Sequence, residues 1–386
     1  MGTLIVSLVA SVGRAGASSC SVVRVPTADL ATSASDVNEL DAVTFAPGAE
    51  GWAVGGSEAT LDTEHGFIPV IERWQGSGWS MAESQAIPDR DGLLLGIDAS
   101  AADDAWAVGA RGDFVASSGQ TLIEHWDGLS WELVQGPTFP DADGAQLRAV
   151  VAVGPHDAWA GGALGPAGTV SALLERWNGT GWSAVPNPAG PGVIFALVAD
   201  GPNDVWASGY RFDRITGAAK TMVERWNGHR WRVTPTPNSV STTDPSEDFN
   251  VLTGITARGP GDVWAVGFAG NPDLSIPYQP VVLHFDGARW SPIQSPALGS
   301  RDALLWAVAS SRDGSLWTVG SRALADGVTT RSIVARWDGL RWSVAAATPL
   351  GQLRGVAVVP GTTAAGAVGS GPNLDRTSTL GVSIAC

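Results

Sequence analysis

Short apolar runs rich in Val, Ala, Leu and Ile recur along the whole chain and are separated by clusters of Gly, Pro, Asp and Asn. One such run, residues 147–153, is followed directly by the turn residues 154–157. Short apolar runs bounded by turn residues predict β-strands. No long segment has the 3.6-residue period of an amphipathic helix, and Gly and Pro interrupt every candidate. The pattern therefore predicts an all-β protein.

One motif recurs within this pattern: a Trp that begins a short apolar run ending in Gly. Its fullest form is Gly-Asp-Val-Trp-Ala-Val-Gly at residues 261–267, and it occurs six times. An aliphatic residue stands twelve positions before each Trp and opens the preceding run. A motif that returns every 20–50 residues indicates a repeat architecture. The motif tryptophans are Trp52, Trp106, Trp159, Trp206, Trp264 and Trp317, and the aliphatic anchors are Leu40, Leu94, Leu147, Ile194, Leu252 and Leu305.

Two further aromatic residues follow each motif, five positions apart, and most pairs enclose Asp-Gly or Asn-Gly. That dipeptide tolerates positive φ and marks a tight hairpin, so each pair should end one strand and begin the next. The repeat unit is then four short antiparallel strands, which is the composition of a β-propeller blade. The pairs are Trp74 and Trp79, Trp126 and Trp131, Trp177 and Trp182, Trp226 and Trp231, Phe285 and Trp290, and Trp337 and Trp342.

The two ends of the chain are predicted to share one blade. The anchor Leu353 begins a last unit of only three strands, in which Gly366 stands where the Trp should be. Residues 20–27 match the spacing of the fourth strand at 131–138 and supply the missing outer strand. A ring closed in this way leaves no open sheet edge. We predict one domain over residues 18–386, a seven-bladed β-propeller of four-stranded antiparallel blades.

The two cysteines lie at the junction of this shared blade. Cys386 falls at the position of the first residue of an aromatic pair, and Cys20 falls at the position of the second. We therefore predict a Cys20–Cys386 disulfide that locks the ring, with unpaired buried thiols as the alternative. A disulfide implies an oxidising compartment.

The N-terminus is consistent with export. Residues 4–10 form an apolar segment, and Ala15-Gly16-Ala17 is an A-x-A cleavage site. Residues 1–17 are therefore predicted to be a signal peptide, although Arg14 is the only basic residue there. The expected location is secreted or extracellular, and a lipid anchor on Cys20 is the alternative. No other apolar stretch reaches the ~20 residues of a membrane span, so membrane insertion is not expected.

The net charge of −15 argues against some partners. Nucleic acid recognition needs a basic surface, and anionic membranes repel an acidic one. The repeated Trp residues are expected to form the packing between blades rather than ligand platforms, because they recur once per blade at the same phase. The chain is expected to be a monomer.

The repeat resembles known propeller families. The order of aliphatic strand, Trp strand ending in Gly, loop and two spaced aromatics resembles the kelch repeat, whose Gly doublet appears here at Gly55-Gly56 and Gly161-Gly162. It resembles more closely the Trp-rich propeller repeats of uncharacterised secreted bacterial proteins. That resemblance implies the fold and export but no activity. Kelch-type copper-radical oxidases need Tyr and His ligands. This chain has only Tyr210 and Tyr278, without a supporting His motif, so we do not expect copper-radical oxidase activity.

The longer connections of the repeat are predicted to carry function. In a propeller, the loops between second and third strands share one face with the loops between blades, and irregular loops on a rigid scaffold are the usual place for binding. We call this the long-loop face. Its long connections span residues 57–69, 112–120, 210–220, 235–250 and 269–279.

The patch richest in aromatic and acidic residues on that face lies around the fourth blade. Sugar rings stack on aromatic side chains and hydrogen-bond to carboxylates, so this mixture suits a glycan. A solvated acidic loop with incidental aromatics is the alternative. The predicted ligand-binding residues are Tyr210, Phe212, Asp213 and Arg214 in one loop, and Asp244, Glu247, Asp248 and Phe249 in the next.

Metal and catalytic signals are weak. Residues 89–92 and 141–144 carry a D-x-D-G fragment but lack the further oxygen ligands of a Ca²⁺ loop. Only His65 belongs to the long-loop face, which argues against a zinc site with several histidines. Residues 310–317 resemble the Asp-box of sialidases, but the Trp comes one position too early. We expect no metal and no cofactor, and we identify no catalytic residue.

Three functions are compatible with the sequence. The first is a secreted, non-enzymatic recognition propeller that binds a glycan or a protein through its long-loop face. The second is a carbohydrate-active hydrolase or lyase with carboxylates gathered at the central mouth. The third is a structural domain of the cell surface. A pocket on the axis lined by two or more acids with shifted pKa values would favour the enzyme.

Overall fold

The computed structural model describes residues 20–29, 37–48, 50–61, 64–82, 92–112, 119–140, 142, 144–165, 170–238, 248–271, 277–299, 302–346, 348–373 and 376–386. The predicted signal peptide lies outside these residues. The described residues form 28 strands, and none of them lies in a helix long and apolar enough to cross a membrane.

The strands follow the predicted order along the chain. In the first half they are β1 (Ser21–Val25), β2 (Val37–Phe45), β3 (Gly51–Leu61), β4 (Glu64–Trp74), β5 (Trp79–Met81), β6 (Gly92–Ala101), β7 (Asp104–Arg111), β8 (Gln120–Trp126), β9 (Trp131–Leu133), β10 (Ala145–Gly154), β11 (Asp157–Leu164), β12 (Ser171–Trp177) and β13 (Trp182–Val185). In the second half they are β14 (Gly192–Ala199), β15 (Val205–Phe212), β16 (Ala219–Trp226), β17 (Trp231–Thr234), β18 (Phe249–Gly259), β19 (Asp262–Gly270), β20 (Gln279–Phe285), β21 (Trp290–Pro292), β22 (Ala303–Ser310), β23 (Leu316–Ala323), β24 (Thr330–Trp337), β25 (Trp342–Val344), β26 (Gln352–Val358), β27 (Ala365–Asn373) and β28 (Arg376–Ala385).

Four-stranded antiparallel units are the building blocks of the sheets. The sheets β6–β9, β10–β13 and β22–β25 are single units. Two larger sheets each contain eight strands, because one parallel residue pair joins two units. These pairs are Ala219 with Phe249 and Val37 with Thr377. Strand β1 pairs with β28, so the outer strand of the last unit comes from the N-terminal part of the chain, as predicted.

The first strand of each unit lines a central channel. These innermost strands are so close together that small residues stand where they meet. A β-carbon added at Gly96 would lie 2.9 Å from the Cα of Ala149 in the next unit, and one at Gly355 would lie 3.0 Å from the Cα of Ala42. Because the last and first innermost strands make the same approach as their neighbours, the units close into a ring. This is the arrangement of a β-propeller.

Each motif Trp packs between its own unit and the next. The ring of Trp52 lies 4.8 Å from that of Trp126 and 5.3 Å from that of Trp131. Trp106 makes the same contacts, at 5.0 Å with Trp177 and 5.1 Å with Trp182. All six motif Trp residues are at most 3% exposed. The prediction that these residues form the core between blades is confirmed.

Two junctions replace this aromatic contact with other groups. Trp317 faces the cluster that contains Cys20, where the Cys20–Cys386 disulfide takes the place of an aromatic pair. At the next junction Phe45 contacts Trp74 and Trp79 at 6.4 and 5.9 Å. A β-carbon at Gly366 would lie 2.8 Å from the Phe45 ring. Phe45 therefore fills the space that the missing Trp would occupy, which the sequence did not indicate.

A buried glutamate recurs in the third strands. Glu72, Glu124, Glu175 and Glu224 each stand two residues before the aromatic that ends the strand, and each is at most 1% exposed. They lie beside the loops that connect the units: Asn187 Nδ2, in the loop after β13, donates a hydrogen bond of 2.9 Å to Glu224. Burial raises the pKa of Glu72 and Glu175 to about 8 and that of Glu224 to about 7. These carboxyls are therefore favoured in their neutral form.

Removing the disulfide should destabilise the fold, because the bridge restrains the two ends of the chain in the unfolded state. We expect the double variant Cys20→Ser/Cys386→Ser to lose about 2–5 kcal/mol in its free energy of unfolding. Urea denaturation of the variant, of the oxidised protein and of the reduced protein measures the change. Equal midpoints for all three would show that the bridge adds nothing to ring closure.

The buried glutamates should make stability depend on pH. A carboxyl with a raised pKa in the folded state contributes stability that is fully present below its unfolded pKa, near 4.5, and is lost as the pH rises through 7–8. We expect the free energy of unfolding to fall between pH 5 and pH 8. In Glu175→Gln this fall should be smaller by the contribution of one glutamate, which is of the order of a few kcal/mol at pH 8. Urea denaturation across this range tests the expectation. The control is Glu132→Gln, at an exposed glutamate. Identical pH profiles for Glu175→Gln and Glu132→Gln would contradict the expectation.

Candidate functional site

A bulge in each innermost strand directs one side chain into the channel. The pairing register between first and second strands shifts directly after the aliphatic anchor, for example between Leu147 and Ala149. The residue skipped by the shift lines a cavity of ≈ 180 Å³ in the channel, toward its long-loop end. A bulge re-aims a side chain in this way. We call these residues the channel ring: Asp41, Leu95, Arg148, Phe195, Thr253, Trp306 and Arg354.

A second, wider cavity of ≈ 490 Å³ lies at the other end of the channel, beside the short turns. Aliphatic side chains, including Val43, Ile97 and Val150, line both cavities and lie between them. The wider cavity contains Asp98, which accepts hydrogen bonds from the backbone N–H of Ala152 at 2.9 Å and from the Thr44 hydroxyl at 3.3 Å. Burial raises the pKa of Asp98 to about 6. Its hydrogen bonds tie neighbouring units together.

Arg354 holds the acidic side of the channel ring. Its guanidinium nitrogens lie 3.5 Å from Asp41 Oδ1 and 3.5 Å from Glu39 Oε2. The same group lies 5.4 Å from the ring centre of Trp306. Burial, together with the charge of Glu39, raises the pKa of Asp41 to about 7, against the opposing effect of the arginines. The Asp41 carboxyl is therefore ready to exchange a proton near neutral pH.

Arg148 lies on the ring of Phe195, with its guanidinium carbon 4.9 Å from the ring centre. Its Nε is buried and has no hydrogen-bond partner. No carboxylate of the described residues lies within ion-pair distance of it, and burial lowers the pKa of its guanidinium. The Asp41 carboxylate, beyond ion-pair distance, and the Tyr210 phenol both interact electrostatically with this cation. The site therefore combines a cation, an aromatic surface and a phenol.

A continuous series of aromatic rings leads from the channel ring to the long-loop face. Phe195 lies 6.1 Å from Tyr210, which lies 5.2 Å from Phe212 and 5.8 Å from Phe249. The series continues through Phe268 and Tyr278 to Trp306, with centroid distances of 5.2–6.5 Å. All except Phe268 keep part of their surface exposed. We call these residues the aromatic arc: Phe195, Tyr210, Phe212, Phe249, Phe268, Tyr278 and Trp306.

The predicted site residues differ in their setting. Tyr210, Phe212 and Phe249 belong to the aromatic arc but lie in strands β15 and β18, not in loops as expected. Tyr210 pairs with Val193 and Thr221, so alternation along the strands fixes its direction. Similarly, residues predicted as a loop at 57–69 continue the hairpin of β3 and β4, with Ser57 opposite Ile68.

The polar members of the predicted set have local partners. Asp213 accepts hydrogen bonds of 2.9 Å from the backbone N–H groups of Ile215 and Thr216, and these bonds lower its pKa. Asp248 is 4% exposed and lies 3.8 Å from Lys220. Arg214 is exposed. Asp244 and Glu247 lie outside the described residues.

Each cavity contains one described carboxylate with a raised pKa, Asp41 in the narrower and Asp98 in the wider one. The arrangement that would favour an enzyme, two such acids in one pocket, is not found among the described residues. No group of three or more His, Cys, Asp or Glu in the described part of the chain could hold a metal ion. The two D-x-D-G fragments fall mostly on residues outside it.

Comparison with known proteins yields structural similarity only. No protein-family model matches the chain, and no curated protein matches it in sequence. Among solved structures, the GH74 xyloglucanase from Xanthomonas campestris is 16% identical with a TM-score of 0.53, covering 93% of this chain and 55% of its own. A mutant of Trypanosoma rangeli sialidase displaying trans-sialidase activity is 9% identical with a TM-score of 0.48, covering 94% and 57%.

The sialidase from Trypanosoma rangeli in complex with sialic acid is similar at 10% identity, a TM-score of 0.48 and coverages of 90% and 54%. The chain therefore spans slightly more than half the length of these structures. The likeness to the xyloglucanase supports the all-β fold of repeated sheets. At this level of identity it extends to the fold alone.

Proposed function

We propose that the chain is a secreted recognition propeller that binds a glycan through its long-loop face. The observation that carries the proposal is the aromatic arc, a series of partly exposed rings that leads into the channel. The arc is separate from the buried Trp clusters between units. Three of its rings, those of Phe195, Tyr210 and Phe212, also pack against a small aliphatic cluster but keep part of their surface exposed. Sites for small ligands are typically concave and apolar with a few polar groups, and the arc with the channel ring has this composition.

The architecture is proposed to be a seven-bladed, kelch-like propeller spanning residues 18–386 as one monomeric domain. The set of innermost strands β2, β6, β10, β14, β18, β22 and β26 around one channel supports this count. The disulfide and the A-x-A site support export, with residues 1–17 as signal peptide. The Trp-rich repeat supports the kelch-like grouping.

A glycan fits the arc better than a protein partner does. Sugar rings present apolar C–H faces and polar edges, and Tyr210 and Tyr278 offer a hydroxyl beside an apolar ring. The arc curves around the mouth of a channel, whereas a protein partner needs a broad surface of about 800 Å². The polar predicted residues Asp213, Arg214 and Asp248 lie near the arc in this proposal, and Asp244 and Glu247, outside the described residues, stay part of the predicted set.

Truncating the arc should weaken glycan binding. We expect Phe212→Ala and Tyr278→Ala each to reduce the affinity for a bound glycan by about tenfold or more, because such rings are the typical hot spots of an interface. A glycan array of the oxidised protein identifies the ligand, and isothermal titration calorimetry measures the affinities. Leu129→Ala, which removes an exposed apolar side chain from a short turn, is the control.

Three results would contradict the proposal. If no glycan on the array binds, the structural or protein-binding function is favoured. If a glycan binds equally well to Phe212→Ala and Tyr278→Ala, recognition takes place away from the arc. If the bound glycan is cleaved by the protein, the hydrolase or lyase alternative replaces the proposal. Unchanged thermal unfolding of both variants ensures that a loss of binding is not a loss of fold.

A further inference from the structure

Arginines stacked on aromatic rings recur in this protein, and Arg148 differs from the others. Those in the third strands and at the turns lie over a motif Trp and also contact a carboxylate. Arg176 stacks on Trp159 and contacts Asp157 at 2.9 Å, and Arg225 stacks on Trp206 and contacts Asp204 at 2.7 Å. The same holds for Arg73, Arg258 and Arg336. Arg354 lies over Trp306 of the channel ring and also contacts carboxylates.

Arg148 stacks on Phe195 but has no carboxylate partner among the described residues. Its buried Nε has no hydrogen bond either. A half-buried cation that has no close counter-charge costs free energy, so such groups are normally paired. Among the described arginines that stack on an aromatic ring, Arg148 is the one without a carboxylate within ion-pair distance, although the chain has 38 acidic and only 23 basic residues. A ligand that brings its own negative charge would complete the site.

We propose that Arg148, with Arg354 across the channel ring, binds the carboxylate of an acidic saccharide whose sugar ring rests on the aromatic arc. The inference rests on the proposed glycan-binding function and specifies its ligand class. Guanidinium groups bind carboxylates through two parallel N–H···O bonds, a geometry that a planar carboxylate matches.

The charges around the site fit one added carboxylate. The described charged side chains that face the cavity are Arg148, Arg354 and Asp41, with Glu39 next to them. Arg354 is shared between two acids at 3.5 Å, whereas Arg148 interacts with Asp41 only from beyond ion-pair distance. Because the pKa of Asp41 is raised to about 7, its negative charge is partly suppressed near neutral pH. The Arg148 side of the ring therefore carries a cation that no close carboxylate balances.

The surroundings supply contacts for the sugar. Phe195 and Trp306 belong to both the channel ring and the aromatic arc, so an apolar surface runs without a break from the cation to the long-loop face. The narrow cavity of ≈ 180 Å³ corresponds to the volume of about six water molecules at ~30 Å³ each. It admits an acidic sugar unit at the end of a glycan or projecting from it, rather than a continuous chain.

The test compares matched saccharides and matched variants by isothermal titration calorimetry on the oxidised, full-length mature chain. The saccharides are oligogalacturonate, its carboxyl-reduced neutral counterpart, and sulfated and phosphorylated oligosaccharides of equal length. The variants are Arg148→Met, which keeps the stem of the side chain and removes the charge, and Arg148→Lys. Arg341→Met, on an exposed arginine of a short turn, is the control.

We expect oligogalacturonate to bind and the neutral counterpart to bind more weakly. Arg148→Met should lose at least about thirtyfold in affinity for the acidic ligand and keep its affinity for the neutral one. Arg148→Lys should be intermediate, because an ammonium provides the charge without the planar pair of donors. The melting temperature of Arg148→Met should be unchanged or higher, since the variant removes an unpaired cation; an arginine with a structural role would lower it.

The other outcomes are distinct. Equal binding of the acidic and neutral saccharides, unaffected by Arg148→Met, would overturn this inference and leave the glycan proposal intact. Preferential binding of the sulfated or phosphorylated ligands would overturn the assignment of a carboxylate. If no saccharide binds, acidic or neutral, the inference fails together with the proposed function.

Discussion

The packing of one tryptophan against the aromatic pair of the next unit is the contact on which the ring depends. A four-stranded antiparallel sheet of this size exposes two faces and cannot bury both by itself. Trp52, Trp106 and their equivalents cover those faces in a wedge between neighbouring sheets, and they are almost completely buried. Since the same contact recurs around the ring, each unit is stabilised mainly by its neighbours, as in other repeat proteins.

A closed ring requires that the last junction be as well filled as the others. The chain meets this requirement with two groups that replace the usual aromatic residues. The Cys20–Cys386 bridge stands in place of an aromatic pair and faces Trp317, and Phe45 enters the space beside Gly366. Both replacements restore packing at the blade that contains the two chain ends. The covalent link lies where strand β1 meets β28 and no hairpin turn connects the strands.

The two ends of the molecule have different physical character. The Trp clusters and the short turns occupy one end, where Asx-type hydrogen bonds such as those of Asp127 and Asp286 stabilise most of the hairpins. At the other end the strands carry the aromatic arc, and the channel ring lies below it. Buried glutamates in the third strands contact the loops that connect the units. The end with the Trp clusters and short turns therefore acts as a rigid scaffold for the end that carries the aromatic arc, which is the usual relation between a scaffold and its binding residues.

The repeat pattern alone was sufficient for the strands, the hairpins, the anchors, the buried tryptophans and the pairing of Cys20 with Cys386. Each of these follows from residues that are close in sequence or that occupy the same phase of the repeat. The sequence also singled out Tyr210, Phe212 and Phe249, which the structure places in the aromatic arc, in strands rather than loops. The channel ring was missed, despite a simple signal: its residues directly follow the aliphatic anchors.

Only the closed ring brings those seven bulged positions to one axis, and only there do Phe45 and Gly366, or Arg148 and Phe195, meet. Such contacts join residues from different units, so the curvature of the ring decides them rather than any local pattern.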